Sequence, residues 1–291
     1  MNEIQWIRRI ARRAGAPGRG VTLGIGDDCA IFRPAGAKED LLFTTDMTIE
    51  NVHFRPETHP ADAVGWRALA RGLSDIAAMG GEPRFCLLSL ALAPWADARW
   101  IAGFYRGFLR LAKRTRTTLA GGDLARADRT SCDVIVCGAT PRGKALRRDG
   151  ARPGDAIYVT GPLGGAARGL ETHQGTAWKK HAYPEPRLEF GRRLRGRATA
   201  AIDLSDGLSI DLHRLCLASG VAAKLDDAIP VFAGATLEQA LHGGEDYELL
   251  FASRRAVKGA TRVGVITKGK PGHVEFQGKP LTALGYDHFR N

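Results

Sequence analysis

Apolar and polar positions along this chain alternate between two rhythms, and the changes of rhythm mark its elements. At the N-terminus Ile4, Ile7, Ile10, Ala11 and Ala14 recur at helical spacing, while Arg8, Arg9, Arg12 and Arg13 occupy other faces. Gly15 and Pro17 end that surface helix. Leu41-Leu42-Phe43-Thr44-Thr45 reads as a buried strand that runs into Asp46 and places it at the strand's end. Residues 61–79 give the clearest helix, with Pro60 suited to its start, Val64, Leu69, Leu73 and Ile76 as its stripe, and Gly80-Gly81 as its stop. Phe85 to Ala93 reads as a strand and Asp97 to Lys113 as a second amphipathic helix, in which Tyr105 interrupts a core face of Trp100, Phe104, Phe108 and Leu111. Thr118-Leu119-Ala120 is an apolar run ending at Gly121-Gly122-Asp123, and Asp133 to Thr140 is a further strand.

Pro141, Gly143, Gly150, Pro153 and Gly154 cluster among charges and predict a boundary dividing 1–140 from 141–291. Beyond it, a strand at Ala156 to Thr160 leads into the glycine turn Gly161 to Gly165 and a helix start. That geometry can offer backbone N–H groups to a phosphate, and it is equally a tight structural turn. Ala200-Ala201-Ile202 runs into Asp203-Leu204-Ser205-Asp206-Gly207, where Ser205 or Asp206 can cap the following helix or face a metal. Gly243-Gly244-Glu245-Asp246-Tyr247-Glu248 precedes a strand, and short strands with glycine turns complete the chain. This succession predicts an α/β (α+β) protein of two domains.

Composition narrows the class. With 291 residues, 44% hydrophobic and 25% charged, the chain is of ordinary globular make-up. No apolar run approaches the roughly 20 residues that span a bilayer. Five cysteines with no metal-like spacing suit a reducing cytoplasm. The net charge of +11 comes from scattered arginines without an aromatic-rich nucleic-acid motif. It suits phosphorylated small molecules, and neither a nucleic-acid nor a membrane partner is expected.

Chemistry concentrates in acids that follow glycine turns or apolar runs: Asp27 and Asp28 after Gly24-Ile25-Gly26, then Asp46, Asp123, Asp203, Asp206, Glu245 and Asp246. Each alone is ordinary turn chemistry. Converging on one cleft they would repel strongly unless a hard cation such as Mg²⁺ compensated them. These acids fall in five segments, and Asp75 adds a sixth, in the last turn of its helix, where the dipole disfavours a negative charge. Arg71, four residues earlier, can offset it as a surface pair, and a bound cation would do so better.

The segments GIGDDCA, TTDMTIENVHF, ALARGLSDIAAMGGEP, LAGGD, GARPGDAIYVTGPLG, IDLSDGL and GGEDYELLF, in this order from about residue 20 onward, resemble the thiamine-monophosphate kinase family of the aminoimidazole ribonucleotide synthetase-like superfamily. The resemblance implies ATP-dependent phosphorylation of thiamine monophosphate to thiamine diphosphate. It also implies a homodimer in which the N-terminal domains share a barrel beside the nucleotide and the C-terminal domain completes the site. On this resemblance Asp28, Thr44, Thr45, Asp46, Asp75, Asp123 and Asp203 match magnesium positions, with Asp206 and Asp27 as further ligands. Tyr105, Gly122, Arg148 and Ser205 match nucleotide contacts, and Asp123 stands with them. His53, Glu245 and Tyr286 match substrate contacts, and Tyr286 could stack on a thiamine ring.

Two features depart from the family pattern. The stretch from Leu170 to Pro184 is short, and Glu185 interrupts Tyr183-Pro184-Glu185-Pro186-Arg187. Arg147 beside Arg148 leaves open which of them meets the nucleotide. Rival readings are an aminoimidazole ribonucleotide or selenophosphate synthetase-like enzyme of the same superfamily, and, from another class, a basic nucleotide- or RNA-binding protein.

Overall fold

The computed structural model describes residues 3–286, 288 and 289. Its first part runs α1 (Glu3–Ala14), β1 (Val21–Leu23), β2 (Ala30–Phe32), β3 (Glu39–Ile49), α2 (Ala61–Ala78), β4 (Glu82–Leu92), α3 (Ala98–Thr115), β5 (Thr118–Arg126) and β6 (Ser131–Pro141). The strands form a mixed six-stranded sheet in the order β1-β2-β3-β6-β4-β5, in which only β4 and β5 run parallel. The second part comprises β7 (Ala156–Val159), α4 (Gly165–Thr172), α5 (Gly175–Ala182), α6 (Leu188–Leu194), β8 (Ala200–Asp203), α7 (Leu208–Ser219), β9 (Ala222–Leu225), α8 (Leu237–His242), β10 (Leu249–Ser253), β11 (Thr261–Thr267), β12 (Val274–Phe276) and β13 (Lys279–Pro280). Its seven strands are ordered β13-β12-β9-β11-β7-β10-β8.

Helix α2 joins the two halves. Its apolar positions pack on β3 and β6, its C-terminal Ala77 and Ala78 belong to a core shared with Tyr158, Ala201, Leu249 and Phe251 of the second sheet, and α3 lies against its outer side. The α2–α3 crossing is so close that a Cβ on Gly107 would stand 1.8 Å from the Asp62 carbonyl oxygen. One face of the first sheet carries these helices. The other is open: Met47 on β3 and Ile135 on β6 are exposed there, and Asp123 shares that face on the edge strand β5.

Several expectations change in the fold. Asp46 lies inside an eleven-residue strand rather than at its end, because β3 stays paired with β6 through Ile49. The apolar run before Gly121-Gly122-Asp123 likewise continues as β5 through Arg126. Gly122 faces the Leu88 carbonyl so closely that a Cβ there would lie 1.8 Å from its oxygen, so strand packing alone requires the glycine. Arg71 is not a surface partner of Asp75: α2 is buried over most of its length, and Arg71 turns to Asp46. The N-terminal helix forms as expected, yet none of its residues is buried, and Ile4 and Ile7 stand at the rim of the cleft described next.

Candidate active site

A cleft of about 1420 Å³ opens where the two halves meet, walled by the β1–β2 turn, β3, α2, the loop after β8 and the loop before β10. At its floor Asp28, Asp75 and Asp203 each bring a carboxylate oxygen within 4.8 Å of the others. They come from three separate parts of the fold. Asp28 follows the Gly24–Gly26 turn, where Gly26 adopts φ +127°; Asp75 is on α2; and Asp203 ends β8. Burial, then the neighbouring Asp46, Asp203 and Asp28, push the Asp75 carboxyl well above the usual range. Burial and then Asp28 do the same to Asp203. Neutral hydrogen bonds offset this only in part, from Thr44 Oγ1 to Asp75 at 2.5 Å and from Ser74 Oγ to Asp203 at 2.6 Å.

Arg148 is the fixed cation at this floor. It donates to Asp28 at 2.6 Å, while Arg147 pairs with Asp149 on the exposed side, so of the two neighbours Arg148 lines the cleft. Asp27 has another task. Its carboxylate accepts the backbone N–H of Asp28 and of Arg148, at 3.0 and 3.1 Å, and so ties the first turn to the boundary segment. Burial, then Asp28, raise it to about 7. Asp46 stands beside Asp75 and pairs with Arg71 at 3.3 Å; burial raises its carboxyl despite that arginine. Strand pleating separates the two threonines: Thr44 bonds Asp75, whereas Thr45 bonds Asp133 at 2.5 Å on the other side.

Towards the mouth the lining becomes aromatic and imidazole-rich. His53 accepts the Ile49 N–H on Nδ1 at 3.0 Å, which leaves its buried Nε2 without a partner among the described residues. Burial lowers it to about 3, so the ring is neutral and Nε2–H is a donor. Tyr286 and His288 continue the row from His53, with ring centroids 4.8 and 5.3 Å apart. Glu245 adopts φ +67°, a conformation non-glycine residues seldom take, and meets Arg67 at 2.6 Å. Burial alone would raise its carboxyl; Arg67, His181 and Arg71 outweigh that and hold it at about 2. Ser205 and Asp206 also line the cleft, with Asp206 paired to Arg214.

At two turns the structure decides between the readings left open. The amides at the start of α4 do not await a phosphate, because the buried Asp246 carboxylate accepts from Gly164 N at 2.5 Å and Ala166 N at 3.0 Å. Neither Ser205 nor Asp206 caps α7; Asp211, from inside the helix, reaches back to the amides of Asp206 and Gly207 at 3.0 Å. Three sequence-derived residues lie outside this cleft. Tyr105 packs edge-on against Phe104, and Gly122 and Asp123 are exposed on β5. The short stretch after Leu170 folds as the α4–α5 pair, and Glu185 is taken up by Arg114 at 2.6 Å. Sequence reasoning missed Arg67, His59, His181 and Ser74; the available signal was a pair of arginines, Arg67 and Arg71, set one turn apart in an otherwise apolar helix.

The family model for the AIR synthase related protein N-terminal domain matches residues 26–142, and that for its C-terminal domain matches 152–261. A thiamine-monophosphate kinase of Salmonella typhimurium is 38% identical, covering 99% of this chain and 98% of its own length. One from Aquifex aeolicus is 32% identical over 91% and 92%. Among solved structures, AaThiL complexed with AMPPCP and TMP has a TM-score of 0.88 at 29% identity, covering 99% of this chain and 97% of that one. Thiamine-monophosphate kinase from Stenotrophomonas maltophilia has a TM-score of 0.77 at 36% identity, covering 96% of both.

Proposed function

The chain belongs to the thiamine-monophosphate kinase family of AIR synthase related proteins, and we propose that its cleft transfers the γ-phosphoryl group of ATP to thiamine monophosphate, giving thiamine diphosphate. The observation that carries this reading is the meeting of Asp28, Asp75 and Asp203 within 4.8 Å beside Arg148. A buried all-oxygen donor set with its carboxyls pushed up is what a hard divalent cation fits, and Mg²⁺ is the cation we assign. Asp28, Asp75 and Asp203 would hold it, with Asp46 and the Thr44 hydroxyl beside them and Asp206 at the edge, a lining broad enough for several ions. Bound there, Mg²⁺ supplies neutralisation of the phosphate oxygens.

The protein's own share is positioning and electrostatics. Donor and acceptor are both polyanions, and Arg148 adds a fixed positive charge beside the acids. Ser205 offers a hydroxyl at the same wall for the nucleotide. The acceptor is an ionised phosphate, so no strong base is needed and transfer is direct and in line. His53 brings its imidazole ring, Glu245 a carboxylate and Tyr286 a ring face to the wall that would meet the thiamine moiety.

Asp123, Gly122 and Tyr105 enter this proposal only through a homodimer. The register places Met47, Asp133, Ser89 and Asp123 in one row across β3, β6, β4 and β5. A second copy seated on that open face would bring the β5 edge towards a neighbouring cleft. The test of the function is chromatographic: incubation with ATP, Mg²⁺ and thiamine monophosphate yields thiamine diphosphate with no trapped phosphoenzyme. Absence of product, or turnover of unphosphorylated thiamine or an aminoimidazole precursor instead, overturns it.

A further inference from the structure

Behind Glu245 lies a buried polar framework to which the phosphoryl chemistry assigns no part. Arg67, on α2, has a side chain only 2% exposed yet carries a full guanidinium. It donates to the His181 carbonyl at 2.7 Å, to the His53 carbonyl at 3.2 Å and to Glu245 Oε1 at 2.6 Å, and its Nη1 also lies 2.9 Å from His181 Nε2. One side chain thus ties together the loop that bears His53, helix α5 and the strained loop that bears Glu245.

The protons of this framework follow from donor and acceptor counting. A guanidinium only donates, so His181 Nε2 cannot carry a hydrogen where it faces Arg67. His59 Nε2 lies 3.0 Å from the same nitrogen and must therefore donate to it. That requires a bare Nδ1 on His59, and an independent pair of contacts agrees: His59 Nδ1 accepts from the Arg55 N–H at 3.3 Å and stands 2.9 Å from the Thr58 hydroxyl. With Nε2 bare, the neutral His181 ring has its hydrogen on Nδ1, and Nδ1 is 3.4 Å from Glu245 Oε2, an electrostatic contact short of hydrogen-bond geometry that leaves Nδ1 with no hydrogen-bond partner among the described residues. Burial keeps both rings neutral, holding His59 at about 4 and His181 at about 3. Trp178 lies against both imidazoles, edge-on to His59 and stacked on His181, with centroids 5.2 and 5.4 Å away.

We infer that Arg67, His59 and His181 form a positioning relay that holds both carboxylate oxygens of Glu245 for the nitrogen-rich thiamine moiety, with His181 fixed as its Nδ1–H tautomer. The relay runs from the Arg55 amide and Thr58 through His59 and His181 to Oε2, while Arg67 holds Oε1 and locks the tautomer. The remaining lone pairs of Glu245 are left facing the cleft, where they suit an N–H donor or a cationic ring. This rests on the thiamine monophosphate reading for the identity of the ligand, but the tautomer does not.

Two measurements test it. In the intact wild-type protein labelled with ¹⁵N-histidine, His181 should show a protonated Nδ1 and a bare Nε2 at neutral pH. An Nε2–H ring or an imidazolium there overturns the relay whatever the variants do. In steady-state assays, His181→Leu should raise KM for thiamine monophosphate about tenfold while kcat and KM for ATP stay within about twofold. His181→Asn, whose amide can stand in for the Nδ1–H donor, should recover most of that loss. Equal effects of both variants on both substrates would mean a merely structural role and contradict the inference. A wild-type protein that forms no thiamine diphosphate would sink the assigned activity while leaving the tautomer result standing. An active wild type with an unaffected His181→Leu variant would sink the relay alone.

Discussion

Asp75 is surrounded by Asp28, Asp46 and Asp203, and a fold would not gather these carboxylates for stability alone. Their mutual repulsion gives a prediction with opposite signs for activity and folding. Asp75→Asn should keep the Thr44 contact yet lower kcat by at least about a hundredfold, the scale of losing a group that acts on transition-state charge. Measured without divalent cation, its melting temperature should equal or exceed that of the wild type. A variant that loses both stability and activity would mean that Asp75 is a structural acid. At this scale the aspartates were legible in the sequence because acids recur after glycine turns and apolar runs, each ordinary alone but mutually repelling when gathered in one cleft. Arg67 and His181 were not. Their role depends on which loops α2 faces, and no local pattern around residue 67 announces a partner at residue 245.

Elements pass these constraints along. α2 presents Arg71 and Asp75 to the cleft and sets Arg67 and Ser74 behind its lining, where they bond Glu245 and Asp203, while most of the rest build two cores. Its fit against α3 is fixed by backbone contact, so Gly107→Ala should destabilise the fold by about 1–3 kcal/mol, read from chemical denaturation. An unchanged midpoint would mean the helices can move apart freely. The α4–α5 pair carries a pH dependence. His181, held at about 3 against an ordinary 6.5, takes up no proton as pH falls from 6.5 towards 4, whereas the unfolded chain does. Its contribution to stability is therefore full above 6.5 and is lost on acidification through that window. The raised aspartates act in the opposite sense, so the comparison is made between variants: His181→Asn should lose less stability than wild type between pH 7 and 5, by up to about 2 kcal/mol. Parallel pH profiles would contradict a buried neutral His181. Helices and most strands were readable from apolar spacing. Where strands end was not, since β3 and β5 continue past Asp46 and Asp123 on the strength of cross-strand pairing with β6 and β4. The glycine turn before α4 stayed open between two readings for a similar reason: its amides are answered by Asp246, some eighty residues away in sequence.

The molecule as a whole is two sheets closing on one acidic cleft, with one sheet face left uncovered. Met47 and Ile135 on that face are part of the surface that a homodimer would cover. Ile135→Glu should shift the protein to monomer in light scattering and lower turnover, if the β5 edge of one copy serves a neighbouring cleft. A wild-type monomer with full activity would remove Asp123 from the site. The two-part plan was legible from the succession of strands and helices and from the order of the acidic motifs. The meeting of Asp28 with Asp203 was not, because it depends on how one half docks on the other. The most direct measurement is thiamine diphosphate formation from ATP and thiamine monophosphate as free Mg²⁺ is raised from zero. The account predicts no product in chelator and a rise steeper than first order in Mg²⁺ as the acidic floor fills. Thiamine diphosphate formed at an undiminished rate in chelator would contradict it.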